Sequence, residues 1–432
     1  MAISFKRNLA GAFNRPNNNI AYVDGLRALS CLGILLYHSF FLLHMFVNEA
    51  EFNQFVKDTP LYLSWVWGMD KGVDVFFVIS GFLIGRMLFK EHQQTGSINL
   101  KSFYWRRLLR LTPVYLFAIV IFFLLAGPQY SQTLWANALY INNFLPLVSM
   151  SMPWTWSLAV EEQFYILMPL LLLTLVLPFR RGLLLLVGLL MLSFVIITMI
   201  IMWDEILWQQ PYHTIFTSKE YIVHYFDTLY VNLHTRFGTL VSGVILAYLT
   251  VHHPLLLDRL VKHNVVATVL TVTLVTLAGL GVLLNGNKHW LGDSLTLSRL
   301  MLILDRNLLG IAICWLILMC SAPGWLGRVL RQVLGARFWY PFAQLSYSMY
   351  LFHYMLAVPL LWAAIQLMKD VYGEALVFQH HWFLAIFIVL LVLTLPISLL
   401  AYALVEKPFM NRRGPAVAEA GKTVPLPSAS QI

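Results

Sequence analysis

Long apolar stretches recur along nearly the whole chain, and they limit the fold before any motif is considered. A helix that crosses a bilayer needs about 20 predominantly apolar residues. Ten stretches meet or approach that length: 27–47, 72–89, 109–127, 156–178, 183–203, 235–251, 264–284, 306–321, 341–366 and 382–405. The second of them, GVDVFFVISGFLIGRMLF, is short and opens beside Asp74. Charged residues make up only 11% of the chain, against about 25% in soluble domains, so the segments between the stretches leave no room for a soluble domain. The expected fold class is all-α, a polytopic integral membrane protein with about ten transmembrane helices. The N-terminal region lacks the short apolar core and small-residue cleavage site of a secretory signal, which makes the first stretch an uncleaved helix. Cys31, Cys314 and Cys320 all lie in apolar stretches, at spacings that offer neither a disulfide framework nor a metal site.

A net charge of +9 would suit nucleic acid, but the placement of the basic residues accounts for it differently. With the N-terminus in the cytoplasm, 21 of the 29 Lys and Arg fall in cytoplasmic segments. That bias is the one the positive-inside rule describes, so no nucleic-acid partner is expected. An even number of spans places both termini in the cytoplasm. Residues 1–20 are then a cytoplasmic N-terminal segment, 21–408 the transmembrane domain, and 409–432 a disordered cytoplasmic tail.

Ionisable residues inside a span cost about 2.5–3.5 kcal/mol on insertion scales, and each is a functional hypothesis by default. Arg27 and His38 are eleven residues apart in YVDGLRALSCLGILLYHSFF. Three helical turns plus roughly 20° separate them, so they share one face about 16 Å apart along the axis. Arg27 can be an interfacial arginine snorkelling to headgroups, and His38 a histidine bonded between helices; having both on one face favours function. In FYWRRLLRLTPVY, Arg107 and Arg110 share a face, with Arg106 beside them. They read either as a stop-transfer cluster or as a phosphate clamp, since guanidinium matches phosphate oxygens bidentately. Ser157, Glu161 and Tyr165 line one face of WSLAVEEQFY. Glu161 and Glu162 are expected one to two turns below the outer surface, with Asp74 and Arg236 as possible partners at the same level. His353 is expected near the middle of the ninth span, either paired with His38 or capping a hydroxyl. Ser80 in VISGFLIG can be a nucleophile or a small residue at a helix contact.

These motifs resemble the membrane-bound acyltransferase-3 family over essentially the whole chain, from VDGLRALSCLGILLYH to VEKPFMNR. The Arg-x10-His pair, GVDVFFVISGFLI, FYWRRLLRLTP, WSLAVEEQFY, HTRFG and SYSMYLFH follow in the family's order. The resemblance implies transfer of an acyl group, usually acetyl from acetyl-CoA, to a hydroxyl of a cell-envelope glycan such as O-antigen or exopolysaccharide. By the same token His38 would be the general base, Arg27 would hold or orient the donor, Arg106, Arg107 and Arg110 would meet the CoA phosphates, and Glu161 would belong to the acceptor side. Asp74, Ser80, Trp156, Ser157, Glu162, Arg236, Tyr347 and His353 are supporting or acceptor-side candidates. The expected partners are acyl-CoA, a glycan or lipid-linked glycan, and the bilayer of the plasma membrane (the bacterial inner membrane). Neither a metal nor a tightly bound cofactor is expected. Ending after the tenth span, the chain is similar to the family's stand-alone form without an appended extracytoplasmic domain. The competing reading is a proton-coupled transporter that uses His38, His353, Asp74 and the glutamates as a relay; it leaves the arginine cluster unexplained.

Overall fold

Each expected span is a helix in the computed structural model, which describes residues 5–16, 20–373 and 376–412. In chain order they are α1 Ala21–Phe41, α2 Gly72–Thr95, α3 Leu100–Ala126, α4 Trp156–Leu171 and α5 Gly182–Trp203. They continue as α6 Leu233–His252, α7 Asn264–Gly286, α8 Leu295–Met319, α9 Trp339–Tyr372 and α10 His380–Ala401. Among the described residues there is no strand. Among the described residues nine spans are long and apolar enough to cross a membrane; a tenth forms when α6 is joined to Pro254–Lys262, which turns off at 101°. The short second stretch reaches across because the 3-10 segment Ser64–Lys71 extends it to a span of 32 residues. Beyond Arg412 the expected tail lies outside the described residues.

α1 packs against α2, α9 and α10, and α6 lies along α2. Glycine sets the second contact. A Cβ on Gly81 would lie 2.0 Å from the Leu240 carbonyl oxygen, and one on Gly243 2.1 Å from that of Val78. Small residues let membrane helices approach to backbone contact, and here no larger side chain fits from either helix. Gly81→Ala or Gly243→Ala is therefore expected to cost about 1–3 kcal/mol by overpacking. A lower melting temperature and less monodisperse protein in detergent would show it. Gly188→Ala is the control, because a Cβ there meets nothing within 4 Å.

The connection 127–155 leaves Tyr130, Leu139, Phe144 and Val148 exposed but is anchored inward at several points. It folds back against the middle of the bundle: Tyr140 stacks on Tyr115 of α3 at 4.5 Å, and the Trp154 indole donates to the Leu351 carbonyl of α9. Tyr115 lies eleven residues before the end of α3, about 16 Å along the axis. Irregular backbone is tolerated at such depth only where protein or a cavity satisfies it. Side chains do so here: Asn137 and Tyr115 both donate to Thr155 Oγ1, and Gln163 donates to the Tyr140 carbonyl. Consequently α4 begins deep in the bundle, which decides where its carboxylates lie.

Candidate active site

Two compartments meet inside the bundle. Arg27 of α1, Ser80 of α2, Arg107 and Arg110 of α3, Glu161 and Tyr165 of α4, and Tyr347 of α9 line the smaller one, about 110 Å³. The larger, about 370 Å³, is lined by His38, Asp70, Trp154, Trp156, Tyr230 and Tyr354. Val73 and Tyr350 line both. The Tyr350 hydroxyl lies 2.7 Å from Ser157 Oγ and donates to the Trp154 carbonyl at 2.6 Å, which fixes the ring at this shared wall.

Arg27 and His38 both face α9. Arg27 donates to Ser346 Oγ at 3.1 Å, while His38 Nδ1 lies 2.9 Å from His353 Nε2. The second contact assigns both imidazoles. His353 Nδ1 lies 2.8 Å from the Tyr350 carbonyl, which can only accept, so Nδ1 carries the His353 proton. Its Nε2 is then an acceptor, and His38 Nδ1–H donates to it. What remains is a lone pair on His38 Nε2, on a ring that lines the larger compartment. His353 is fully buried, at 0% exposure, and serves to orient His38. Of the alternatives open in the sequence, pairing of the two histidines is the one observed.

Glu161 sits with the arginines. It accepts from the Ser80 and Tyr165 hydroxyls, and the Arg107 guanidinium lies 5.6 Å over the Tyr165 ring. The inward fold of 127–155 starts α4 beside the middle of α3, which brings Glu161 to Arg107 rather than to Asp74 and Arg236, the partners the sequence left open. Glu162 lines neither compartment, and its Oε1 is buried without a partner. Arg106 is turned away from Arg107 and Arg110, donating to Ser102 Oγ and lying 4.0 Å from Glu91.

Asp74 and Arg236 pair with each other rather than with the glutamates. Arg236 lies 3.0 Å from Asp74 Oδ1 and Arg306 donates to Oδ2 at 2.8 Å. Arg306 also reaches Asp70, which accepts from the Tyr230 hydroxyl at 3.0 Å. The Arg236 guanidinium lies 5.3 Å from the Trp156 ring and 5.0 Å from that of Tyr230. Burial, with the Asp70 carboxylate close by, holds the Tyr230 phenol well above its ordinary pKa, so it remains a neutral donor. Neither Asp70 nor Arg306 stood out in the sequence. Asp70 precedes Asp74 by four residues, a shared-face spacing that could have flagged it. Arg306 fell at the edge of the span expected over 306–321, whereas α8 starts at Leu295 and carries Arg306 eleven residues inward.

A family model described as an acyltransferase domain, that of acyltransferase-3, matches residues 20–403. The chain belongs to this family. It is a multi-pass membrane protein carrying the acyltransferase domain over most of its length. It is 28% identical over 415 residues to proteins of Staphylococcus aureus strains COL and MRSA252 that bear the name "Putative O-acetyltransferase", covering 90% of this chain and 56% of each of theirs. Over 165 residues it is 34% identical to "O-acetyltransferase OatA" of S. aureus strain NCTC 8325, covering 34% of this chain and 24% of that one. The chain thus spans little more than half the length of the first of these relatives. No solved structure matches it.

Proposed function

We propose that the chain transfers an acetyl group from cytosolic acetyl-CoA to a hydroxyl of a cell-envelope glycan, in the bacterial plasma membrane with both termini in the cytoplasm. One observation carries this reading: a compartment of arginines and a compartment of histidine share a single wall, at Val73 and Tyr350. Arg27, Arg107 and Arg110 suit the phosphates of CoA, since guanidinium pairs with phosphate oxygens through parallel hydrogen bonds. Glu161 keeps that cluster from being purely cationic and aligns Ser80 and Tyr165. It belongs to the donor side of this scheme.

The acetyl carbonyl would lie at the shared wall beside His38. Nε2 takes the proton of the acceptor hydroxyl as its oxygen attacks the thioester carbonyl carbon. The tetrahedral intermediate collapses with loss of the CoA thiolate, which takes the proton back from the imidazolium. The ester forms, the C–S bond breaks, and His38 ends neutral. While charged, the imidazolium is stabilised by the Nδ1–H bond to His353, and Asp70 lines the same compartment.

Release of free CoA thiol by purified protein, dependent on both acetyl-CoA and acceptor, tests the reading. Transport without thiol release would replace it with the proton-coupled alternative. Arg107→Ala and Arg110→Ala are each expected to raise the KM for acetyl-CoA. A hydrogen bond to a charged group contributes about 1.5–3 kcal/mol, or about 10- to 100-fold. The KM for the acceptor should stay within twofold of wild type, and an equal rise in both constants would remove these arginines from the donor site.

A further inference from the structure

The reaction scheme leaves unused a further cavity of about 380 Å³ beyond Asp70. It shares Tyr37, Asp70, Phe226 and Tyr230 with the histidine compartment, so the two spaces adjoin. Buried side-chain atoms without a hydrogen-bond partner gather around it: Asp70 Oδ1, Asn285 Nδ2 and His213 Nδ1. Asp70 is 8% exposed and Asn285 6%. Buried polar groups are nearly always satisfied, so a cluster of unsatisfied ones around a void marks where a ligand's own polar groups fit. The remainder of each side chain is already held. Asp70 Oδ2 accepts from Arg306 and Tyr230, and Asn285 Oδ1 accepts from the Tyr212 hydroxyl at 2.6 Å.

The unsatisfied atoms define the ligand's chemistry. Asp70 Oδ1 needs a donor, whereas Asn285 Nδ2 needs an acceptor. A hydroxyl is both at once. An anion would be drawn to Lys288, which lines the cavity with its ammonium 4.6 Å from the Phe216 ring. It would also face the bare carboxylate oxygen of Asp70, and Arg306 is already paired with Asp70 and Asp74. Burial lowers the Lys288 ammonium to about 8, so at neutral pH it stays largely protonated and, beside Asn285, can also donate to a ligand hydroxyl. A neutral polyhydroxyl unit fits better, its hydroxyls on Asp70 and Asn285 and its apolar face on Phe216 and Tyr230.

We propose that this cavity is a second saccharide subsite, holding the sugar unit next to the one whose hydroxyl is presented to His38. The proposal rests on the glycan acceptor proposed above and adds that the enzyme reads chain length. The test uses oligosaccharides released from the producing cell's own envelope and sorted by length, with purified protein and acetyl-CoA. Wild type is expected to acetylate fragments of two or more units with kcat/KM about tenfold above single units, the value of roughly one good hydrogen bond. Asn285→Asp keeps the acceptor for Tyr212 but removes the Nδ2 donor. It should erase that preference and leave single-unit acceptors and the KM for acetyl-CoA unchanged. If Asn285→Asp fails to fold, Lys288→Met removes a donor from the same wall and should move the same ratio. Absence of a length preference in wild type overturns the subsite, as does an equal loss for all lengths in the variant. Failure of wild type to acetylate any fragment overturns the glycan reading itself, a distinct result.

Discussion

Replacing His38 with alanine is expected to lower acetyl transfer about 10²–10⁴-fold, the range a positioned general base contributes. The Tyr350 carbonyl fixes the His353 proton on Nδ1, His353 Nε2 accepts from His38 Nδ1, and only His38 Nε2 is left to take a proton. The loss should fall on kcat, because the arginines proposed for acetyl-CoA lie across the wall formed by Val73 and Tyr350. The KM for acetyl-CoA should hold within about threefold, a free-energy difference below 1 kcal/mol. The variant should also remain folded: His38 is only partly buried, and stranding His353 Nε2 costs about 1–3 kcal/mol. Acetyl transfer and the melting temperature, measured on the same detergent preparation, separate the two effects. A His38→Ala protein that transfers acetyl at more than a tenth of the wild-type rate would remove His38 as the base.

The second large effect concerns stability. Asp74, 0% exposed, is shared by the guanidiniums of Arg236 and Arg306. Removing one partner of a buried ion pair typically costs about 3–5 kcal/mol, because the other charge stays buried and uncompensated. Asp74→Ala strands Arg236 and leaves Arg306 with Asp70 and the longer 3.9 Å contact to Asp305, so most of the cost is expected to come from Arg236. Little monodisperse protein should be recovered. Asp74→Leu combined with Arg236→Met should recover part of the loss, since it takes away a charge of each sign together. Normal yield and melting temperature for Asp74→Ala alone would show that the network contributes little to the fold.

The number and order of the spans were legible because crossing a bilayer demands a long apolar run, and no other feature of the chain imitates one. The shared face of Arg27 and His38 was legible for a similar reason, as helical periodicity is a local property. What escaped was long-range. Nothing about residues 127–155 announces that they fold inward, yet that fold sets the depth of Glu161 and brings it to Arg107. Asp70 and Arg306 were hidden because their pairing joins a 3-10 segment before α2 to the interior of α8, across more than two hundred residues of chain. Arg106 shows the converse. Its neighbours in sequence point into the arginine compartment, but one position of helical rotation turns it to Glu91 instead.

The wall at Val73 and Tyr350 has a consequence for the cell as well as for the reaction. If the donor enters from the cytoplasm, as proposed, and the envelope glycan from the opposite side, the protein brings two water-accessible spaces to within about one side chain of each other. A membrane that stores energy as a proton gradient would discharge through any continuous wet path. The barrier here is an aromatic ring anchored at its hydroxyl to Ser157 and the Trp154 carbonyl, backed by an aliphatic valine. Insulation and acyl passage thus depend on the same small group of atoms, which leaves little freedom to widen the passage for a bulkier acyl group without also making the membrane leak.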